Sequence, residues 1–194
     1  MGTSGEIQHR AEELDCCVSV PDLITEEEKT QLLEIWNWIK SNYLIEYQRD
    51  TYPGYMLNGV YSSDIWCNWR SKDRRYVVSL AQRYPHPQPK LLTASLVVIH
   101  KGGIGAKKHI DKHPGRRCVV SIPLQTESPI LFYENENSTE PMVSVKYDTP
   151  MLLNVGQKYH SVPSSDKDRV MLQLIYGETY QTMKKRFEEW GQSI

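Results

Sequence analysis

Between residues 91 and 176 the chain reads LLTASLVVIH (91–100), KKHID (107–111), RRCVVSIPL (116–124), PILFYE (129–134), MVSVKY (142–147), MLLNV (151–155), KYHSVP (158–163) and RVMLQLIY (169–176). These pieces are short, rich in Val, Ile, Leu and Tyr, and separated by turn-forming residues. That rhythm belongs to an all-β sandwich or barrel. No segment of helical length lies between them, so a parallel sheet built from βαβ units is excluded.

Outside this stretch the period changes. Thr25-Glu26-Glu27-Glu28 is a capping-box signature that opens a helix running to about Asn42. Leu32, Ile35, Trp36, Ile39 and Tyr43 fall on one face of it. A second helix is predicted from Ser71 to Tyr84, ended by Pro85, Pro87 and Pro89, and a third from Glu178 to Trp190. The first fifteen residues are polar and without periodicity. The reading is one mainly β domain with flanking helices that cover one sheet. Its parts are a loose flank (1–20), a helical and strand support region (21–90), the β-core (91–176) and a C-terminal helix (177–194).

Composition narrows the function. The 194 residues carry 23 basic and 24 acidic side chains for a net charge of −1, which argues against a protein built mainly to grip nucleic acid. No apolar run reaches the roughly 18 residues of a membrane span. The N-terminus lacks a basic region followed by an apolar one, so it does not read as a secretory signal. The cysteines, Cys16, Cys17, Cys67 and Cys118, form no C-x-x-C pair and read as free thiols. A soluble, cytoplasmic protein without membrane partners is the expectation.

His109-Ile110-Asp111 carries the chemistry. In a strand, residues i and i+2 share a face, so imidazole and carboxylate project together, Cβ atoms roughly 6–7 Å apart. His160, central in KYHSVP, completes a 2-His-1-carboxylate set, which occupies one face of an octahedral metal and leaves other positions open. A plain alternative is a surface His–Asp pair with a hydrogen-bonded strand histidine. Arg169 weighs against it: an arginine in a strand apolar on both faces is costly unless its guanidinium meets an anion. A planar fork near His160 would clamp a carboxylate in bidentate fashion.

His109-x-Asp111, His160, Arg169 nine positions later, Gly156 four before His160 and Val162 two after it together resemble the iron(II)- and 2-oxoglutarate-dependent dioxygenases. The resemblance implies a double-stranded β-helix (jelly-roll) core. It also implies Fe²⁺ on His109, Asp111 and His160, with 2-oxoglutarate reaching from the metal to Arg169. The implied reaction couples decarboxylation of 2-oxoglutarate to succinate and CO₂ with oxidation of an unactivated C–H by O₂, ascorbate serving as a supporting reductant. Tyr133 is implied as a donor to 2-oxoglutarate, and it reads equally well as a core aromatic. Halogenating relatives lack the carboxylate at the position of Asp111, so its presence points to hydroxylation or oxidative demethylation. Charge arithmetic agrees: Fe²⁺ with one carboxylate is +1, a dianionic oxoacid makes it −1, and Arg169 returns it to zero.

Other residues are weighed more evenly. Arg117 opens the third strand and would face a substrate carboxylate or a surface acid. Trp66 and Trp69 would line a substrate pocket or wedge helices onto the sheet. His113 would sit about 13 Å from His109 along an extended strand, too far to share its metal. Lys101 to Lys108 is glycine-rich but no helix follows, so it reads as a lid or a turn rather than a phosphate loop. The substrate expected is an amino acid, free or in a peptide. Nucleic-acid demethylases in the same family carry a further arginine where this chain has Ile175. A jelly-roll binding module without turnover, and a zinc hydrolase using the same ligands, are the alternatives from other classes.

Overall fold

The computed structural model describes residues 4–42, 59–61, 66–68, 70–85, 91–99, 105–111, 118–126 and 128–191. In chain order the elements are α1 (Ser4–Glu13), β1 (Cys17–Ser19), α2 (Glu26–Asn42), β2 (Gly59–Tyr61), β3 (Trp66–Asn68) and α3 (Ser71–Ala81). The core strands follow: β4 (Thr93–Ile99), β5 (Ala106–His109), β6 (Cys118–Gln125), β7 (Ile130–Tyr133), β8 (Val143–Val145), β9 (Met151–Leu153), β10 (Tyr159–Val162) and β11 (Arg169–Tyr176). α4 (Tyr180–Gly191) ends the described chain. Each of the eight apolar pieces read from the sequence forms a strand.

Two sheets face each other. The larger has the order β1-β9-β6-β11-β4-β2-β3 and the smaller β5-β10-β7-β8. The eight core strands divide evenly between them and the chain crosses repeatedly from one sheet to the other, the jelly-roll arrangement. Pairing is antiparallel except where β2 joins β4 in parallel.

Alternation along the central strands explains how one sequence serves two interiors. In β11, Val170, Leu172, Leu174 and Tyr176 join the core under the helices, whereas Met171 and Ile175 face the smaller sheet. Arg169 and Gln173 therefore also point between the sheets. The helices lie on the outer face of the larger sheet: Leu32, Trp36 and Ile39 of α2, Val77 and Leu80 of α3, and Met183 and Phe187 of α4 are buried there. Each such side chain contributes about 1.5–3 kcal/mol by leaving water. The capping box forms in both directions: Thr25 N–H donates to Glu28 Oε2 at 3.0 Å, and Glu28 N–H to Thr25 Oγ1 at 3.3 Å. α3 stops at Ala81, three residues short of the predicted end, while Tyr84 is still buried beneath it.

The amino-terminal flank departs from expectation. Residues 1–20 read as loose, yet 4–13 are helical and Cys17–Ser19 pair with β9 at the sheet edge. Ala11, Cys16 and Cys17 are fully buried in the core between the sheets. Asp15, at φ +51°, turns the chain between them, and its carbonyl accepts from Asn154 Nδ2 at 2.9 Å. Ala11 and the following cysteines are buried there, and Leu14 packs against them. No described helix is long and apolar enough to cross a membrane.

Candidate active site

His109 ends β5 and His160 lies second in β10, and the antiparallel register makes them direct cross-strand partners. Their ring centroids are 4.3 Å apart. Asp111 follows two residues after His109; its N–H donates to the Val155 carbonyl at 2.9 Å, and its Oδ1 lies 3.2 Å from His109 Nε2. One ligand atom from each of the three lies within 4.8 Å of the others. The three residues named from the sequence are thus brought to one point by two strands and a backbone hydrogen bond.

The second nitrogen of each ring is committed in the same way. His109 Nδ1 is 2.6 Å from the Lys107 carbonyl and His160 Nδ1 is 3.1 Å from the Lys158 carbonyl. A carbonyl can only accept, so Nδ1 is the donor in both rings, which in the neutral imidazole leaves the Nε2 lone pair for a metal. Backbone partners of this kind fix the tautomer and aim of a metal-ligating histidine. Two imidazoles and one carboxylate suit Fe²⁺, Zn²⁺ or similar ions, and a three-residue set leaves coordination positions free. The His109 side chain is 43% exposed, Asp111 11% and His160 is buried, so the set opens to solvent on the His109 side.

Gly105, just before β5, has φ +68°, and a Cβ there would lie 2.1 Å from the Val162 carbonyl oxygen. Only glycine fits this close approach, which brings β5 against the end of β10 where the register shifts. The glycine-rich segment therefore acts as a packing device at this residue; residues 101–104 lie outside the described chain.

Arg169, 2% exposed, points into the same interior from the opposite sheet. Its Nε lies 3.0 Å from Met171 Sδ, and Nη1 donates to the Ser128 and Pro129 carbonyls at 3.4 and 3.2 Å. The guanidinium carbon stands 4.5 Å from the centre of the Tyr147 ring. No carboxylate among the described residues pairs with it. Burial depresses its pKa, and Tyr147 works in the opposite direction. A buried cation held by carbonyls, a thioether and an aromatic face is electrostatically incomplete without an anion.

Tyr133 requires a correction. Its neighbour Phe132 faces the interior, with its ring centroid 6.3 Å from that of His160, so Tyr133 projects from the other face of the smaller sheet. There its hydroxyl is 2.9 Å from Ser161 Oγ, and the Lys108 ammonium lies 5.0 Å from its ring. Lys108 and Ser161 precede and follow the two histidines and point outward with it. The tyrosine that meets Arg169 is Tyr147. A signal for it was present: Val143, Val145 and Tyr147 alternate with Ser144 and Lys146, which places all three on the inner face. Gln173 was also passed over; it pairs in register with Ser95 and Ser121, giving a buried polar row on the inner face of the larger sheet. Arg117, Trp69 and His113, and the side chain of Trp66, lie outside the described residues.

No family model matches the chain, and no curated protein matches it. Solved structures do. A prolyl hydroxylase from Trichoplax adhaerens, in complex with a hypoxia inducible factor oxygen degradation domain peptide fragment, superposes at a TM-score of 0.59 with 15% identity. The match covers 94% of this chain and 91% of that one. A non-heme monooxygenase, the ThoJ–Ni complex, gives 0.49 at 16% identity over 88% and 77%. An oxidoreductase of the 2OG-Fe(II) oxygenase family from Burkholderia pseudomallei gives 0.46 at 11% over 92% of each. The first of these carries the fold assignment: the chain has the architecture of the prolyl hydroxylase across nearly its whole length.

Proposed function

We propose that the protein is an Fe²⁺- and 2-oxoglutarate-dependent dioxygenase that hydroxylates an unactivated C–H of an amino acid or peptidyl residue. The observation that carries this reading is the pairing, within one interior, of the His109–Asp111–His160 set with a buried arginine that no carboxylate among the described residues neutralises. A zinc hydrolase or an inert binding module has use for the first and none for the second.

The residues divide the work. Nε2 of His109 and His160 and the Asp111 carboxylate would hold the metal, and the two backbone carbonyls would keep the imidazoles aimed. The metal supplies O₂ activation coupled to oxidative decarboxylation of the bound oxoacid. Arg169 would bind the far carboxylate of 2-oxoglutarate, with Tyr147 under the guanidinium limiting its movement. The Ser128 and Pro129 carbonyls hold one guanidinium nitrogen against the wall, which orients the fork. The exposed side of His109 is where the primary substrate would approach. A peptidyl or amino-acid substrate is supported by the prolyl hydroxylase, whose structure contains a peptide fragment. Three buried free cysteines, with Cys17 and Cys118 each pushed up to about 12 by burial, support the reducing cytoplasm as its compartment.

The test is anaerobic addition of Fe²⁺ and 2-oxoglutarate to the purified protein, followed by exposure to O₂ with amino acids and short peptides. A visible absorption band on mixing, and succinate release stimulated by one of the candidates, are expected. Fe²⁺ binding with no 2-oxoglutarate binding would overturn the proposal.

A further inference from the structure

Between β9 and β10 the connection 154–158 reaches two of the three candidate ligands. The Val155 carbonyl accepts the Asp111 N–H at 2.9 Å, and the Lys158 carbonyl meets His160 Nδ1 at 3.1 Å. Both carbonyls belong to one turn, closed by the Gln157 and Lys158 N–H groups, which donate to the Asn154 carbonyl at 3.3 and 3.0 Å. β9 ends at Leu153 and β10 begins at Tyr159, so neither carbonyl is fixed by the ladder of a strand.

The turn is tied down at Asn154, which is fully buried. Its N–H donates to the Cys16 carbonyl at 2.9 Å, and its side-chain Nδ2 donates to the Asp15 carbonyl at 2.9 Å. The end of α1 holds that pair of residues in turn: Asp15 N–H donates to the Glu12 carbonyl at 3.0 Å and Cys16 N–H to that of Ala11 at 2.9 Å. A carbonyl only accepts, so the amide must present its nitrogen to Asp15. Nδ2 also lies 3.4 Å from Oε1 of the exposed Gln157, a weaker contact. Asn154 Oδ1 has no hydrogen-bond partner among the described residues, so the anchoring lies on the donating side of the amide. Breaking the bond to Asp15 would leave a desolvated N–H, which makes the turn costly to displace.

We infer that Asn154 is a positioning residue for the metal set: it fixes the 154–158 turn, and through the turn the aim of His160 and the placement of Asp111. The inference rests on His109, Asp111 and His160 being the metal ligands. Asn154 acts through the Val155 and Lys158 carbonyls. His109 takes its Nδ1 partner, the Lys107 carbonyl, from a different segment and stands outside this control. The amino-terminal flank thereby gains a role at the site in addition to its pairing at the edge of the larger sheet.

Anaerobic calorimetric titration of Fe²⁺, together with imidazole proton spectra of the Zn²⁺-loaded full-length protein, tests it. Asn154→Leu, similar in volume but without a donor, should weaken Fe²⁺ binding about ten-fold, the lower end of what losing an outer partner costs a metal site. In its Zn²⁺ form the His160 Nδ1–H resonance should shift and exchange faster with water, while that of His109 keeps the parent position. Asn154→Ala gives the answer if Asn154→Leu does not fold. Gln157→Ala, which removes only the weaker contact, should bind Fe²⁺ like the parent. Unchanged Fe²⁺ affinity in the folded Asn154 variant would overturn the inference. So would equal changes at both histidines, or the same loss of affinity in Leu172→Ala, either of which would mark a general loosening of the fold. A Gln157→Ala protein as weak as Asn154→Leu would also overturn it, by moving the anchor off the flank. His160→Ala is the control for the underlying reading: if it binds Fe²⁺ as tightly as the parent, the metal assignment fails whatever Asn154 does.

Discussion

The two faces of the larger sheet differ in kind. Toward the helices, β4, β6 and β11 present Ala94, Leu96, Val98, Cys118, Val120, Ile122, Val170, Leu172, Leu174 and Tyr176, all buried. Toward the smaller sheet the same strands present Thr93, Ser95, Ser121, Arg169 and Gln173 among their apolar residues, also buried. The first face is apolar apart from the Tyr176 hydroxyl, which is buried without a hydrogen-bond partner among the described residues, and hydrophobic burial holds it. The second keeps groups that cost free energy to bury, and Ser121 Oγ has no hydrogen-bond partner among the described residues. Both faces pack against apolar cores, and the candidate chemistry lies on one of them alone. Strand alternation lets each be changed with little effect on its opposite.

That separation can be broken at its strongest point first. His160→Ala should reduce Fe²⁺ affinity by at least about two orders of magnitude and abolish succinate release. Circular dichroism and the melting temperature should stay close to the parent, because the ring contributes little to the helix-side core. Parent-like succinate release from this variant would remove the metal set from the mechanism. Leu172→Ala is the mirror experiment, next in sequence to the interior-facing Gln173 and on the other face. Denaturant unfolding should show a loss of about 2–5 kcal/mol from the cavity it leaves, with Fe²⁺ affinity of the folded fraction unchanged. A large change in metal affinity would show that the faces are coupled.

Smaller effects sharpen the comparison within the interior face. Arg169→Ala should raise the 2-oxoglutarate requirement far more than the iron requirement, by the roughly 1.5–3 kcal/mol of a charge-assisted pair. Equal increases in both would assign the arginine a structural role. Tyr133→Phe should cost about 1 kcal/mol of stability through loss of the bond to Ser161, and leave the 2-oxoglutarate titration where it was. Tyr147→Phe run beside it should alter that titration if the tyrosine beneath the guanidinium is the one that matters.

Several of these residues were legible without coordinates. The capping box at Thr25 forms as written, and the stripe Leu32, Ile35, Trp36, Ile39 is buried as its spacing requires. His109 and Asp111 were readable as a pair from the i, i+2 spacing, although β5 ends at His109 and a backbone hydrogen bond to Val155 places Asp111. Residue type left Tyr133 open between a donor and a core aromatic, and the pairing of Phe132 with His160 puts it on the other face of the smaller sheet. α1 and β1 leave no periodic trace in the sequence: Ala11, Cys16 and Cys17 are buried at irregular spacing, and β1 is an edge pairing with β9.

The amino-acid order alone determined which segments are strands and helices and which side chains are suited to hold a metal or an anion. Such features depend on nearest neighbours: the period of apolar residues, the chemistry of caps and turns, and the ligand character of single side chains. Only the tertiary structure decided that His109 stands opposite His160, that Tyr147 lies under Arg169, and that Lys40 reaches Asp168. Those contacts join residues from 22 to 128 positions apart in the chain. Their register is set by how two sheets and a helix pack, and the free energy of that packing is spread over the whole core.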